Sequence, residues 1–566
     1  MRLSRHLRWD LLFALAGAVV VTWPLVLHPH AVLGHPRGET DNHVWMLWRA
    51  VQPLLGRSGP WANVPVGSPV PLMDPVNLPL FLPGFLVDPF VAWNLMVALQ
   101  VLLGMLAAGF LARRFVGPQA AWVAMAVAGS SPFLAGVMEF GISEAFPLWL
   151  LSLHLAFLVR HAEEGRVRDA VLAGICLAGF AYSGWYHAFF GAVVDILLVP
   201  VLAWRHRRWR GLLLQGLAAA LAVLPSFLYF LSIRHVWQYR WFVPPGLPTL
   251  HQGHWRWLTA YGTDLLNLLL PALSPAPISH SVYLGVVALV LGIVGCIAAP
   301  RKALPLAIPL GALLLLALGY WVRVANQPIP VGDHPLPGPA LLLVRACPPL
   351  GGLSHWYRAV GPATVLLAVT AALGAERLAG RRPWTARLLA VAIVVEGIAL
   401  GGTHWPRIQY DASAPAVYAV LEAPGGVVDL PFDNGRIPFT EEEARQYNRW
   451  QVSHGRPVAE HYDGRDALLM RNRLVAMLDT LCGLPPTLPP YELPPSEMRD
   501  LSRIEDEALL TANTRALIDS GFAYVVLHRS RARTPEKAAV VLDRLYGPPE
   551  VDLDGAAAWR IRMPGR

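Results

Sequence analysis

Charge is scarce in this chain. Only 15% of its 566 residues are Asp, Glu, Lys or Arg, against about 25% in an ordinary soluble domain. With 55% hydrophobic residues and a mean hydropathy of +0.43, that shortage excludes a wholly soluble protein and puts much of the chain in lipid. Cysteine is scarcer still. Cys176, Cys296, Cys347 and Cys482 show neither CxxC pairing nor metal-ligand spacing, so disulfide staples and structural zinc are not expected. There is no GxSxG nucleophile motif, and no half-to-half repeat of the kind that marks transporters. The net charge is +8, yet the arginines form no basic face interleaved with aromatics, so nucleic acid is not an expected partner.

What is present is a series of long apolar runs. A membrane-crossing helix needs about 20 such residues, with a working range of about 17 to 25. Eleven segments qualify: 9–28, 89–112, 119–136, 145–160, 169–184, 188–204, 211–232, 283–299, 303–321, 358–376 and 386–403. The first follows Arg2, Arg5 and Arg8 and contains Trp23-Pro24. No small-residue cleavage site follows it, so it reads as a retained signal-anchor and not a removed signal peptide. Basic residues then fall in every second connection: Arg113/Arg114, Arg160/Arg166/Arg168, Arg205/Arg207/Arg208/Arg210, Arg301/Lys302 and Arg377/Arg381/Arg382. The short alternate connections 137–143 and 184–188 hold none. By the positive-inside rule the N-terminus is cytoplasmic, and eleven crossings bring the C-terminus outside. The expected arrangement is a multi-pass protein of the bacterial inner membrane. Residues 1–404 form its transmembrane domain, and 405–566 a soluble extracytoplasmic α/β domain.

The connections assigned to the outside at 29–88, 233–282 and 322–357 are long and rich in Trp, His, Pro and Gly. Loops of that length are usually functional or disordered, and these are too aromatic for disorder. Residues 41–54 (DNHVWMLWRAVQPL) space Val44, Leu47, Trp48, Val51 and Leu54 as an amphipathic helix for the membrane surface. Residues 264–273 (DLLNLLLPAL) are too short to span. Past residue 404 the apolar runs shorten, with strands expected at 427–430 and 524–527 and an amphipathic helix at 505–520.

Acids at the expected outer surface are the candidates for chemistry. Glu39 and Asp41 open the surface helix, Glu139 and Glu144 flank the turn EFGISE, and Asp264 opens the second short segment. Such carboxylates can act as a general base or share a divalent cation. Asp41 and Glu144 equally suit helix starts, where Asp is a favoured cap. His43 lies beside the first pair, and Trp185, Tyr186 and His187 fill the next outer turn. Arg234, Arg240, Arg256, Arg345 and Arg358 sit on the outside against the charge rule. Guanidinium suits phosphate, and it also snorkels or pairs with acids. Within the spans, His154, Asp195 and Glu396 are expected to be paired structurally, given the cost of charge in lipid.

Several segments together resemble the GT-C superfamily of membrane glycosyltransferases, and most closely its glycosyltransferase-like, YfhO-like bacterial branch. They are Glu39 to Trp48 (ETDNHVWMLW), Gly141-Ile-Ser-Glu144, Tyr261-Gly-Thr-Asp264 through Pro271, Val427-Val-Asp-Leu-Pro431, Tyr447 to Pro457 (YNRWQVSHGRP) and Tyr524-Val-Val-Leu-His528. The resemblance implies transfer of a sugar from a polyprenyl-phosphate donor to an envelope glycan, lipid or protein acceptor at the outer face. It implies Asp41 as base or metal ligand, with Glu144 and Asp264 assisting. Glu39, His43, His187, Arg240, Arg345 and Arg358 would bind substrate. The chain departs from the superfamily in two places: Asn42 follows Asp41, so the Asp-Glu doublet is missing, and no WWDYG motif occurs. Metal dependence stays open on both counts. The rival readings are a non-catalytic membrane assembly protein and a transporter of lipid or polysaccharide.

Overall fold

The computed structural model describes residues 5–36, 38–57, 74–233, 262–271, 282–353, 355–380, 382–431, 446–459, 472–483, 500–553 and 555–563. The chain forms two compact units, Met1–His35 with Met73–Gln409, and Pro36–Leu72 with Tyr410–Arg566.

The first unit is helical and is a multi-pass membrane body. Among the described residues, seven helical segments are long and apolar enough to cross a membrane: Pro89–Ala112, Pro118–Phe140, Ser143–Glu164, Trp185–His206, Trp209–Leu228, Pro300–Ala317 and Trp356–Ala379. The remaining expected spans carry the helices Arg5–Val21, Val167–Tyr182, Val286–Ala298 and Pro383–Leu400. The first of these stops seven residues short of its expected end, because Trp23-Pro24 breaks it. Side-chain caps set two of the starts. Asp88 caps Pro89–Ala112 by accepting from the Phe90 and Val91 amides at 2.7 and 3.1 Å. Ser131 and Pro132 restart the helix after Gly129 within the 118–140 span.

Pro118–Phe140 and Trp356–Ala379 form the inside of this unit, each 94% buried over its most apolar window. By contrast, Leu213, Leu217, Leu221, Leu224 and Leu228 lie exposed at helical spacing along one face of Trp209–Ile233. An apolar stripe on a helix so open to the outside suits contact with lipid. Val286–Ala298 lies against Val360–Ala379 at glycine distance. A methyl on Gly374 would meet the Leu291 carbonyl, and one on Gly295 the Thr370 carbonyl. Small residues let membrane helices approach this closely.

The second unit is α/β. Its sheet runs in the order β1 (Gly426–Leu430), β2 (Phe522–His528), β4 (Ala556–Arg560), β3 (Val551–Leu553). β1 and β2 are parallel, and the other pairings are antiparallel. The parallel pair requires a crossover, and it includes the helices Arg473–Leu481 and Glu507–Asp519. Val428, Leu430, Leu474, Leu478, Leu517, Val525, Leu527, Leu542 and Trp559 make the core. The expected strands and the 505–520 helix are all present.

The helix Thr40–Val51 belongs to this unit. Most of its apolar stripe, expected on the membrane surface, is covered by protein: Val44, Leu47, Trp48 and Val51 are buried, the helix packs against Gln446–His454, and Leu54, past the helix end, is exposed. The indole of Trp45 on the same helix donates to Gln451. A wholly buried indole needs such a partner.

Candidate functional site

Asp41 lies in the first turn of Thr40–Val51 and is 2% exposed. The Tyr410 hydroxyl donates to its Oδ1 at 2.6 Å. Arg449 Nη1 stands 3.4 Å from Oδ2, with the guanidinium 5.3 Å from the centre of the Tyr410 ring. Burial, and then the Asp41 charge, push the Tyr410 phenol well above its ordinary range. It therefore stays protonated and acts as a donor. Next door, the Asn448 amide donates to Asn42 Oδ1 at 2.9 Å. His43, also buried, lies 3.7 Å from Glu39 one turn earlier. Asp41 does not act as the helix cap; Glu39 holds that position, without a side-chain cap bond.

In the membrane unit, Glu144, His187 and Arg358 converge. Arg358 Nη1 donates to Glu144 Oε1 at 2.7 Å, and both side chains are buried. The guanidinium lies 4.8 Å from the Tyr186 ring centre, a distance at which a cation is attracted to the ring face. His187 is fully buried. Its Nδ1 is 3.1 Å from Ser183 Oγ, and its Nε2 has no hydrogen-bond partner among the described residues. Gly184, with φ +155, has a backbone conformation that residues with a side chain rarely adopt. A side-chain carbon there would stand 3.5 Å from His187 Nδ1 and 3.7 Å from Glu144 Cγ. The Tyr186 hydroxyl in turn meets His355 Nδ1 at 2.9 Å.

Other expected site residues have structural partners. Asp264, 2% exposed, caps Leu265–Leu269 by accepting from the Leu266 amide at 2.8 Å. Its second oxygen accepts from the Asn326 amide at 2.7 Å. Glu139 accepts from the His404 amide at 2.9 Å and meets the His404 ring. Arg345 is exposed, in the last turn of Pro339–Ala346. Arg240 lies outside the described residues, as do Arg234, Arg256 and the tryptophans around them. Within the spans, Asp195 accepts from Gln215 at 3.0 Å and meets His154 Nε2 at 2.8 Å. Glu396 accepts from the Val286 and Val287 amides at 2.6 and 3.1 Å, at the open start of a helix. Helix N-termini favour anions there. No group of three His, Cys, Asp or Glu residues suited to a metal ion occurs among the described residues.

Two features were missed in the sequence reading. Tyr410 and Arg449 are distant in sequence from Asp41, and only the fold brings them to it. A second network closes the ends of β1 and β2. Tyr418 donates to Asp429, and His528 Nε2 lies 3.1 Å from the same oxygen. Tyr418 also stacks on His454 at 4.4 Å. The signal was a polar residue within or just after each expected strand, Asp429 in 427–430 and His528 after 524–527.

Two solved structures are similar to the chain. One is ArnT from Cupriavidus metallidurans in the apo state, at 15% identity and TM-score 0.44, covering 99% of each chain. The other is the Archaeoglobus fulgidus oligosaccharyltransferase in the apo form, at 14% identity and TM-score 0.44, covering 92% of this chain and 69% of that one. Both are membrane glycosyltransferases of the GT-C superfamily. At this similarity neither the fold nor any residue's role follows from the likeness. No protein-family model matches, and no curated protein does.

Proposed function

We propose that the protein is a membrane glycosyltransferase that moves a sugar from a polyprenyl-phosphate donor to an acceptor at the outer face of the inner membrane. Its N-terminus is cytoplasmic, and residues 405–566 form an extracytoplasmic domain. Asp41 is the base. The observation that carries this reading is the state of Asp41: an acid of the first long loop, buried, and held through both oxygens by a tyrosine hydroxyl and an arginine. A carboxylate fixed in this way can accept the acceptor hydroxyl proton as the lipid phosphate leaves.

Glu144, His187 and Arg358 form a separate polar cluster within the membrane unit. A buried guanidinium is suited to a phosphate, and His187 offers an uncommitted ring nitrogen beside it. Asp264 is given a structural role, since backbone amides occupy both of its oxygens. The test is a transfer assay on Asp41→Asn, stably inserted, in cells lacking any paralogue. Loss of transfer supports the reading, and wild-type transfer refutes it.

The rival is a non-catalytic assembly protein. The bonds that tie Asp264 and Glu139 into the fold are what favour it. It predicts that Asp41→Asn leaves envelope assembly intact.

A further inference from the structure

We infer that Tyr410 and Arg449 are positioning residues for Asp41, and that the helix carrying Arg449 is seated by the Tyr418–Asp429–His528 network. The inference rests on the reading of Asp41 as base.

The helix Gln446–His454 has two working faces. Asn448, Arg449 and Gln451 reach the helix Thr40–Val51 at Asn42, Asp41 and Trp45. Tyr447, Trp450 and His454, spaced three and four apart, lie on the other side. Tyr447 and Trp450 pack with ring centres 5.3 and 4.8 Å from His528, and His454 stacks on Tyr418. The polar network at the ends of β1 and β2 thereby sets where this helix lies. The helix in turn sets where Arg449 meets Asp41. Ligand sites of open α/β sheets gather at the carboxyl ends of parallel strands; here those ends hold a helix that reaches the base.

Arg449 is 8% exposed, so its charge cannot be left alone without a large penalty. Tyr410 occupies the other oxygen. Together they fix the orientation of the carboxylate and favour its ionised form, through opposite charge and hydrogen bonding. In the reaction, the acceptor O–H passes its proton to Asp41. The oxygen bonds the anomeric carbon, and the C–O bond to phosphate breaks with its electron pair on the departing polyprenyl phosphate. Arg449 and Tyr410 act through Asp41, the group both contact.

The test uses the full-length protein in lipid nanodiscs with a panel of polyprenyl-phosphate hexoses, and follows kcat/KM for transfer against pH. Arg449→Ala is expected to move the acid limb up by about 1 to 3 pH units, the usual reach of a close opposite charge. Arg449→Lys is expected to bring it most of the way back. Tyr410→Phe, which removes one hydroxyl and keeps the ring, is expected to move it up by less. His528→Gln is expected to move it in the same direction. If Arg449→Ala is too damaged to fold, Tyr410→Phe carries the test alone.

An acid limb unmoved in folded Arg449→Ala, or in Tyr410→Phe where only that variant folds, overturns the inference, as does a lysine no better than alanine. Full transfer by Asp41→Asn overturns the reading beneath it. An inactive Asp41→Asn with an unmoved limb in Arg449→Ala overturns the inference alone.

Discussion

Replacing Arg358 by leucine isolates the buried Glu144–Arg358 pair of the membrane unit. At 2.7 Å, an attraction of about 6 kcal/mol follows for an effective dielectric near 20. Burying the two ions costs several kcal/mol each, so the intact pair lies near balance. Its loss is not symmetric. Arg358→Leu removes the cation facing the Glu144 carboxylate, which is 6% exposed, and the cation over Tyr186. The expected destabilisation is about 3–5 kcal/mol. Glu144→Gln/Arg358→Leu removes both charges and is expected to cost much less than the two single changes together, leaving a coupling of about 2 kcal/mol or more. Reversible unfolding in mixed micelles, titrated with denaturing detergent, measures all four corners of this cycle. A single variant that loses less than about 1 kcal/mol refutes the reasoning, as does a double variant that loses the sum of the singles.

Burial holds the His454 ring pKa down at about 4, below its ordinary 6.5, and burial also lowers that of His528. His454 is therefore neutral when folded, and its contribution is present above pH 6.5. It is lost as pH falls through about 4, because the unfolded chain binds the proton more tightly; hydrogen exchange of β1 and β2 between pH 7 and pH 4 should show protection falling, and constant protection would refute this. Gly374→Val should force Val286–Ala298 off its neighbour, since even a methyl there meets the Leu291 carbonyl. Disulfide crosslinking between cysteines placed on the two helices should weaken, and an unchanged yield would count against the close approach. Asp264→Ala leaves the Leu266 and Asn326 amides without their acceptor. A loss of about 1–2 kcal/mol should appear as faster proteolysis near 323–328, and wild-type resistance would contradict it.

Much of the membrane unit was legible because lipid imposes a simple rule. Backbone groups in hydrocarbon must pair within one segment, so an apolar run of the right length has few alternatives to a helix. Each of the eleven expected segments carries one. The end of the first was misjudged because Pro24 stops it before its apolar composition runs out. The charges within the spans were expected to be structural, and His154–Asp195 and Glu396 at a helix start are paired in that way. The surface helix 41–54 was misread in its surroundings. Its periodicity records an apolar face and says nothing about whether lipid or protein covers it. Trp45 and Trp48 would serve in either place.

Composition and spacing by themselves determined that this chain crosses a membrane, that its last third is α/β, and which acids and arginines were worth following. Those properties are local: they depend on which residues neighbour each other along the chain. The partners of Asp41 and Glu144 were decided only by the tertiary structure. Tyr410 and Arg449 follow Asp41 by more than 360 residues, and Arg358 follows Glu144 by 214. Pairings across such distances arise from the packing of whole elements, and no local pattern encodes them.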